Sequence, residues 1–333
     1  MIGSRIQVRD ECLWINIRLC YHYRRFARTS QEKQLLNRII YTIFGFGLAA
    51  LFFPHVAQDL TRPQPEVAGV SISAPKPAVS APEFSISQEA PLLTAKSAIA
   101  LDLSSGAILY SKKLSERLPI ASLTKLMSAL VVFDQVDLKN IVTVPQDDNA
   151  VVGTSIGLLA GEQISVESLL KAMLIPSSND AALLLANFSA GSEEKFVQWM
   201  NAKSTWLGLT NTHFTNSVGW DIDDNYSDVL DFAKISKEFL KHPVLVQIAG
   251  TKNTDIRSID GQYTHQLTTT NKLLLDNPEV LGLKTGFTSK ALGNLIIFAS
   301  HQGHPVLIVV LGSENREDDS QKLLSWLLGV YKW

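Results

Sequence analysis

The sequence is almost without cysteine: of 333 residues only Cys12 and Cys20 are cysteines, both near the N-terminus. No disulfide framework is available to the rest of the chain. A dominant sign of charge is missing too. Lys and Arg number 30 against 32 Asp and Glu, a formal net charge of −2, which excludes a generally basic nucleic-acid binder. The seven histidines form no His-Glu-x-x-His or comparable pair, so neither a metal nor another cofactor is expected. His213 and His265 are expected at the surface or in ordinary hydrogen bonds. There is no internal repeat. What remains, 46% hydrophobic and 19% charged residues, is the composition of a chain that folds.

The charge is unevenly placed. Residues 1–38 carry eight Lys and Arg against three acids, and an apolar run from Ile39 to Phe53 follows, closed by Pro54 and His55. A basic flank before an apolar segment places the N-terminus in the cytoplasm and the remainder outside. The expected organisation is a cytoplasmic basic segment 1–38, a transmembrane signal-anchor 39–57, a tether 58–93 and a globular domain 94–333. A leader cleaved after Ala57 is the competing reading, although His55 stands where a small residue is wanted. Residues 58–93 mix Pro63, Pro65, Pro75, Pro77, Pro82 and Pro91 with Ser, Ala and Val, which reads as an extended spacer.

From about Thr94 the pattern becomes globular. Residues 97–103 and 107–111 flank Ser104-Ser105-Gly106 as a hairpin, and 295–300 and 305–311 flank His301-Gln302-Gly303-His304 as another. Helical spacing runs through 122–133, 165–175, 179–190, 193–206, 227–241 and 319–331. Strands open and close the domain while helices fill its middle. An antiparallel sheet with an inserted helical lobe, and a site in the crevice between them, is the expected α+β architecture.

Several motifs fail on context. Gly45 to Ala50 fits a dinucleotide fingerprint but lies inside the apolar run. Gly153-Thr154-Ser155-Ile156-Gly157 fits a nucleophile elbow but has no long helix after it, so it reads as a turn. Ser-x-x-Lys occurs five times. Ser30 is cytoplasmic, Ser73 has a proline inside its motif, and Ser168 and Ser192 read as solvated helix positions. Only Ser122-x-x-Lys125 opens a strongly apolar helix. There the two side chains share a face, and free N–H groups and the positive helix end point at the serine. Lysine acts as a base only when neutral; burial and a second cation would lower its pKa. Lys284-Thr285-Gly286, at the start of an expected strand, offers that cation, and Gly286 leaves room for a substrate backbone. Ser177-Ser178-Asn179 lies in the turn before the helix near Asp180. Each tripeptide alone is most simply a turn or cap; together, in order and at element boundaries, they can converge.

With their flanks (PIASLTKLMSAL, MLIPSSNDAA and LGLKTGFTSKALGNL) these three pieces resemble the serine-type D-alanyl-D-alanine carboxypeptidases of the peptidase S11 family, the low-molecular-mass penicillin-binding proteins. The resemblance runs from about Ser97 to about Gly329. It implies the penicillin-binding/β-lactamase-like transpeptidase fold, peptidoglycan stem peptides as substrate and β-lactams as covalent inhibitors. By that resemblance Ser122 would attack the carbonyl between two terminal D-alanines, and Lys125 would take its proton. Ser177 would relay a proton to the leaving amine, and Asn179 would hold substrate and Lys125. Lys284, Thr285 and Thr288 would receive the substrate carboxylate along the Gly286 strand. The Ser122 and Phe287 N–H groups would form the oxyanion hole.

Many members of the family carry a small β-rich C-terminal domain and a terminal amphipathic anchor. The residues after the last helical pattern are too few for either, so attachment is expected at the N-terminal side. Four activities fit the motifs: carboxypeptidase, cross-link endopeptidase, serine β-lactamase and a wall-binding protein that has lost its chemistry. A β-lactamase needs a group that activates water, commonly a glutamate after the second motif, and no Glu-x-x-Leu-Asn occurs between Asn179 and Lys234.

Overall fold

The computed structural model describes residues 79–146, 151–221 and 224–333. The expected basic segment, the signal-anchor and the first part of the tether lie outside the described residues. Among the described residues no helix is long and apolar enough to cross a membrane.

The centre of the fold is a five-stranded antiparallel sheet. Its strands are β1 (Ser97–Asp102), β2 (Ile108–Lys112), β3 (Val280–Thr288), β4 (Leu292–His301) and β5 (His304–Ser313), in the order β3-β4-β5-β1-β2. The first strand thus pairs with the last, Leu307 opposite Leu101 and Val309 opposite Ile99. Both faces are covered, which explains the unbroken apolar run of β5. Leu307, Val309 and Leu311 face one core; Val306, Ile308 and Val310 face the other.

The helices are α1 (Thr124–Gln135), α2 (Val166–Leu174), α3 (Asn179–Ala190), α4 (Glu193–Trp206), α5 (Val229–Phe239), α6 (Pro243–Ala249), α7 (Lys272–Asp276) and α8 (Arg316–Val330). The α1 helix is buried all round from Thr124 to Val132, so it is the axis of the helical lobe. Its Leu126, Met127 and Leu130 share a core with Leu169 and Leu170 of α2, Leu185 of α3 and Phe232 of α5. Each such side chain, fully removed from water, contributes about 1.5–3 kcal/mol. The α8 helix covers the other sheet face with Leu323, Leu324 and Leu327. Side-chain caps start several of these helices: Ser165 accepts from the Ser168 N–H, Ser192 from Lys195 and Asp228 from Asp231. Ser192 is therefore a cap rather than a solvated helix position, and Ser168 is a half-buried first-turn residue.

Three expectations need adjustment. Ala121–Leu123 forms a 3-10 turn and the α-helix begins at Thr124, so Ser122 sits on the tighter turn before α1. Lys284 lies in the middle of β3, because that strand already starts at Val280. The later part of the expected tether is packed on the domain. Glu83 and Phe84 pair with Lys332 and Tyr331, and both the N–H and the hydroxyl of Ser85 donate to the Val330 carbonyl, at 2.7 and 3.0 Å. Two paired residues are too few to produce a period of two, so the proline-rich composition conceals them.

Candidate active site

The three motif pieces converge where the helical lobe meets β3. Ser122 is half-buried, while Lys125, Ser177, Asn179, Lys284 and Thr285 are buried. The Lys125 Nζ lies 3.0 Å from Ser122 Oγ, 2.7 Å from Asn179 Oδ1 and 2.8 Å from the Val218 carbonyl. Burial lowers its pKa from the ordinary 10.5 to about 7, against the opposing pull of Asp180. Two of its three neighbours are carbonyl oxygens, which can only accept. A neutral amine has two protons; given to Asn179 and Val218, they leave the lone pair facing the Ser122 hydroxyl.

The Lys284 Nζ donates to Ser177 Oγ at 2.8 Å and to the Thr285 carbonyl at 3.1 Å. Burial pushes its pKa well below the usual lysine range, followed by repulsion from Lys125 and Arg316. The second cation therefore meets the second serine directly. Two residues beside this chemistry hold positive φ without being glycine, Ala121 at 48° and Ser177 at 67°. Such backbone persists only where its surroundings over-determine it.

The backbone of β3 passes close to Ser122. A Cβ built on Gly286 would lie 3.0 Å from the Ile120 carbonyl and 3.1 Å from the Ser122 nitrogen. The neighbouring Phe287 ring is 66% exposed at the rim. Thr285 Oγ1 is 2.5 Å from Thr270 Oγ1, and Thr288 Oγ1 donates to Asp221 at 2.8 Å. The expected carboxylate-binding threonines are thus both near the cleft, but Thr288 is engaged by an acid in this state.

Sequence reasoning missed the supports. The Val218 carbonyl is a backbone group without a side-chain signal. It is presented by a loop in which Asn216 Oδ1 accepts from the N–H groups of Val218, Gly219 and Trp220, at 3.2, 2.6 and 3.1 Å. That loop presses so closely that a Cβ on Gly219 would lie 1.9 Å from the Ala121 carbonyl oxygen, and Gly219 has φ +95°. Arg316 donates to the Gly286 carbonyl at 2.8 Å and braces β3 from α8. The rejected elbow is indeed irregular backbone, and it has another task. The Asn179 N–H donates to the Thr154 carbonyl and Asn179 Nδ2 to the Val152 carbonyl, both at 2.7 Å. Asp180 gathers Ser155 Oγ at 2.6 Å, the Gly157 and Leu158 N–H groups at 3.1 and 3.3 Å, and the Ser178 hydroxyl. Burial would raise the Asp180 carboxyl; bonds from Ser155, Ser178, Leu158 and Ala181 outweigh this and hold it below its ordinary range.

Residues 84–315 match the peptidase S11 family, D-alanyl-D-alanine carboxypeptidase. The D-alanyl-D-alanine carboxypeptidase DacF of Bacillus subtilis is 35% identical over 247 residues, covering 72% of this chain and 63% of the relative. DacC of Escherichia coli, of the same description, is 36% identical over 253 residues, covering 72% and 62%. The chain therefore spans less than two thirds of the length of these curated relatives. Among solved structures, the Streptomyces K15 DD-transpeptidase matches with a TM-score of 0.69 at 28% identity, covering 73% of this chain and all of that one. The α+β penicillin-binding fold expected from the motifs is the fold observed. With the family match spanning all three motifs and the motif side chains in mutual contact, this chain belongs to the peptidase S11 family of D-alanyl-D-alanine carboxypeptidases.

Proposed function

We propose that this chain is a serine D,D-carboxypeptidase that hydrolyses the terminal D-Ala-D-Ala bond of peptidoglycan stem peptides through an acyl-enzyme on Ser122. The observation that carries this reading is the setting of Lys125: an amine whose burial lowers its pKa to about 7, its protons directed to two carbonyls and its remaining side 3.0 Å from Ser122 Oγ. Ser122 Oγ attacks the scissile carbonyl as Lys125 takes its proton. The Ser122 and Phe287 N–H groups receive the oxyanion; the close approach of Gly286 to Ser122 supports that pairing. Ser177, in contact with Lys284, relays that proton from Lys125 to the nitrogen of the leaving D-alanine as the C–N bond breaks. Lys284 and Thr285, with Thr288 once released from Asp221, hold the substrate carboxylate.

Water then cleaves the ester. Among the described acids between Asn179 and Lys234, Asp180 serves the loop at 155–158, Glu193 accepts from Ser217, Asp221 holds Thr288, and Asp228 and Asp231 hold Asn211. None of these contacts places a carboxylate on Ser122, which favours a long-lived penicilloyl adduct over β-lactamase turnover. The substrate lies outside the cytoplasm, and the basic flank before the apolar run at 39–53 supports a membrane-held protein with its N-terminus inside; alkaline extraction of membranes tests this.

The deciding experiment incubates the protein with a D-Ala-D-Ala peptide and with cross-linked muropeptides, beside a Ser122→Ala control. Free D-alanine from the first, absent in the control, is the expected result. Cleavage of cross-links alone would make the enzyme an endopeptidase, and no product together with no uptake of labelled penicillin would overturn the assignment.

A further inference from the structure

A hairpin that carries none of the three motifs places a buried polar contact on the loop behind Asn179. Its strands are Asn253–Arg257 and Thr264–Thr268, with His265 opposite Ile256. His265 Nε2 lies 2.9 and 3.1 Å from the two carboxylate oxygens of Glu162, and its Nδ1 lies 3.3 Å from the Ile156 carbonyl. The Glu162 side chain is wholly buried and that of His265 is 10% exposed. Glu162 also accepts from the Leu159 N–H at 3.1 Å. Carboxylate and carbonyl oxygens only accept, so the ring donates on both sides when both nitrogens carry protons.

The target of this grip is specific. Residues 151–160 contain neither helix nor strand, so their course is set by side-chain contacts and single backbone bonds such as Asn179 N–H to the Thr154 carbonyl rather than by a ladder. Ile156 is held from two directions: its N–H donates to Ser178 Oγ at 3.1 Å, inside the Ser177-Ser178-Asn179 turn, while its carbonyl faces His265. Two residues earlier, the Thr154 carbonyl takes the Asn179 N–H, and the Val152 carbonyl takes the Asn179 amide. The other end of that amide is the Oδ1 that receives Lys125. A short chain of contacts therefore runs from the hairpin to the amine beside Ser122.

We infer that His265 and Glu162 are positioning residues for acylation: by pinning Ile156 they fix the loop that aims Asn179 at Lys125. This rests on the reading of Ser122 as the nucleophile. A displacement of about 1 Å at such a site costs up to about a hundredfold in rate.

The test compares two isosteric replacements in the full chain. His265→Gln places its amide where Nε2 stood, keeping Glu162 and losing Ile156; His265→Asn places it where Nδ1 stood, keeping Ile156 and losing Glu162. Each is measured for the saturating rate constant and the Kd of acylation by a fluorescent penicillin, and for melting temperature. The Gln variant is expected to acylate slower by roughly tenfold or more with Kd within about twofold of wild type. The Asn variant is expected to melt lower, because it leaves a buried carboxylate with only the Leu159 N–H as partner, yet to acylate faster than the Gln variant. Equal wild-type rates in both, or rates that merely follow melting temperature, would overturn the inference while leaving Ser122 acylation intact. A wild-type chain that takes no penicillin would overturn both. Should either variant not fold, Glu162→Gln supplies the reading: slowed acylation at unchanged Kd supports the inference, and a wild-type rate overturns it.

Discussion

If Lys125 is the base, the rate of Ser122 acylation must follow the fraction of that amine which is neutral. At the ordinary lysine value of 10.5, about one amine in three thousand is neutral at pH 7; at about 7, half are. Burial thus raises the working fraction about a thousandfold, equivalent to about 5 kcal/mol of differential stabilisation of the neutral form. The base is consumed by protonation, so the saturating acylation rate falls about tenfold for each pH unit below 7 and levels off above about 8. Stopped-flow acylation with a fluorescent penicillin between pH 5 and 9 reads this, with the saturating rate constant separated from affinity so that changes in carboxylate binding drop out. Lys284 also has a lowered pKa, so a Lys284→Arg variant, whose guanidinium does not titrate in this range, serves as control. Its absolute rate is expected to fall while its inflection stays near 7. A flat profile, an inflection near 10, or an inflection that vanishes in Lys284→Arg would refute the assignment of the base.

Other outcomes follow from the same geometry. Gly219→Ala forces a Cβ to 1.9 Å from the Ala121 carbonyl at φ +95°, whereas Gly106 has positive φ with open space around it. Urea unfolding should therefore show a loss of roughly 3–5 kcal/mol for Gly219→Ala and about 1 kcal/mol for Gly106→Ala. Asp319 is fully buried and accepts from the Thr94 and Ala95 N–H groups and from the Thr94 and Ser313 hydroxyls. Asp319→Ala orphans these donors and should cost roughly 3–5 kcal/mol, measured the same way. Burial alone would raise the Asp319 carboxyl, but those bonds hold it below its ordinary value. Its contribution is present above the unfolded carboxyl range and disappears as pH falls through the folded value, so the wild-type advantage over Asp319→Ala should shrink below about pH 4. A chain starting at Thr94 lacks the Ser85 bonds to Val330, the Trp326 bond to the Gln88 carbonyl and the Phe84 ring contacts with Trp326 and Tyr331. It should melt several degrees below a chain starting at Val79, by calorimetry.

Local features of the fold were legible in proportion to their periodicity. The apolar spacing of 179–190 and 193–206 matches α3 and α4 residue for residue, and the tight turn at Gln302-Gly303 marks the β4–β5 hairpin. The order of the sheet was not legible in detail, because the pairing of β1 with β5 joins segments distant along the chain and leaves no local trace. The same division runs through the site. Ser122, Lys125, Ser177 and Asn179 stand out because their chemistry is unusual at element boundaries, and Lys284 because a lysine interrupts a largely apolar strand. Val218 contributes only a carbonyl, and Asn216, Glu162 and His265 act on backbone several steps away. Thr288 is named through the family resemblance alone, and its bond to Asp221 depends on a loop whose course no spacing encodes.

The pairing of the central sheet's first and last strands has a consequence for synthesis. At a ribosome, β1 emerges roughly two hundred residues, or roughly 10–40 s, before its partner β5. For most of that interval Ser122 already exists as a polypeptide residue while the edge that carries Lys284, which precedes β5 in the chain, has yet to be translated. The central sheet, and with it the position of β3 beside Ser122, is therefore complete only once β5 has been laid down.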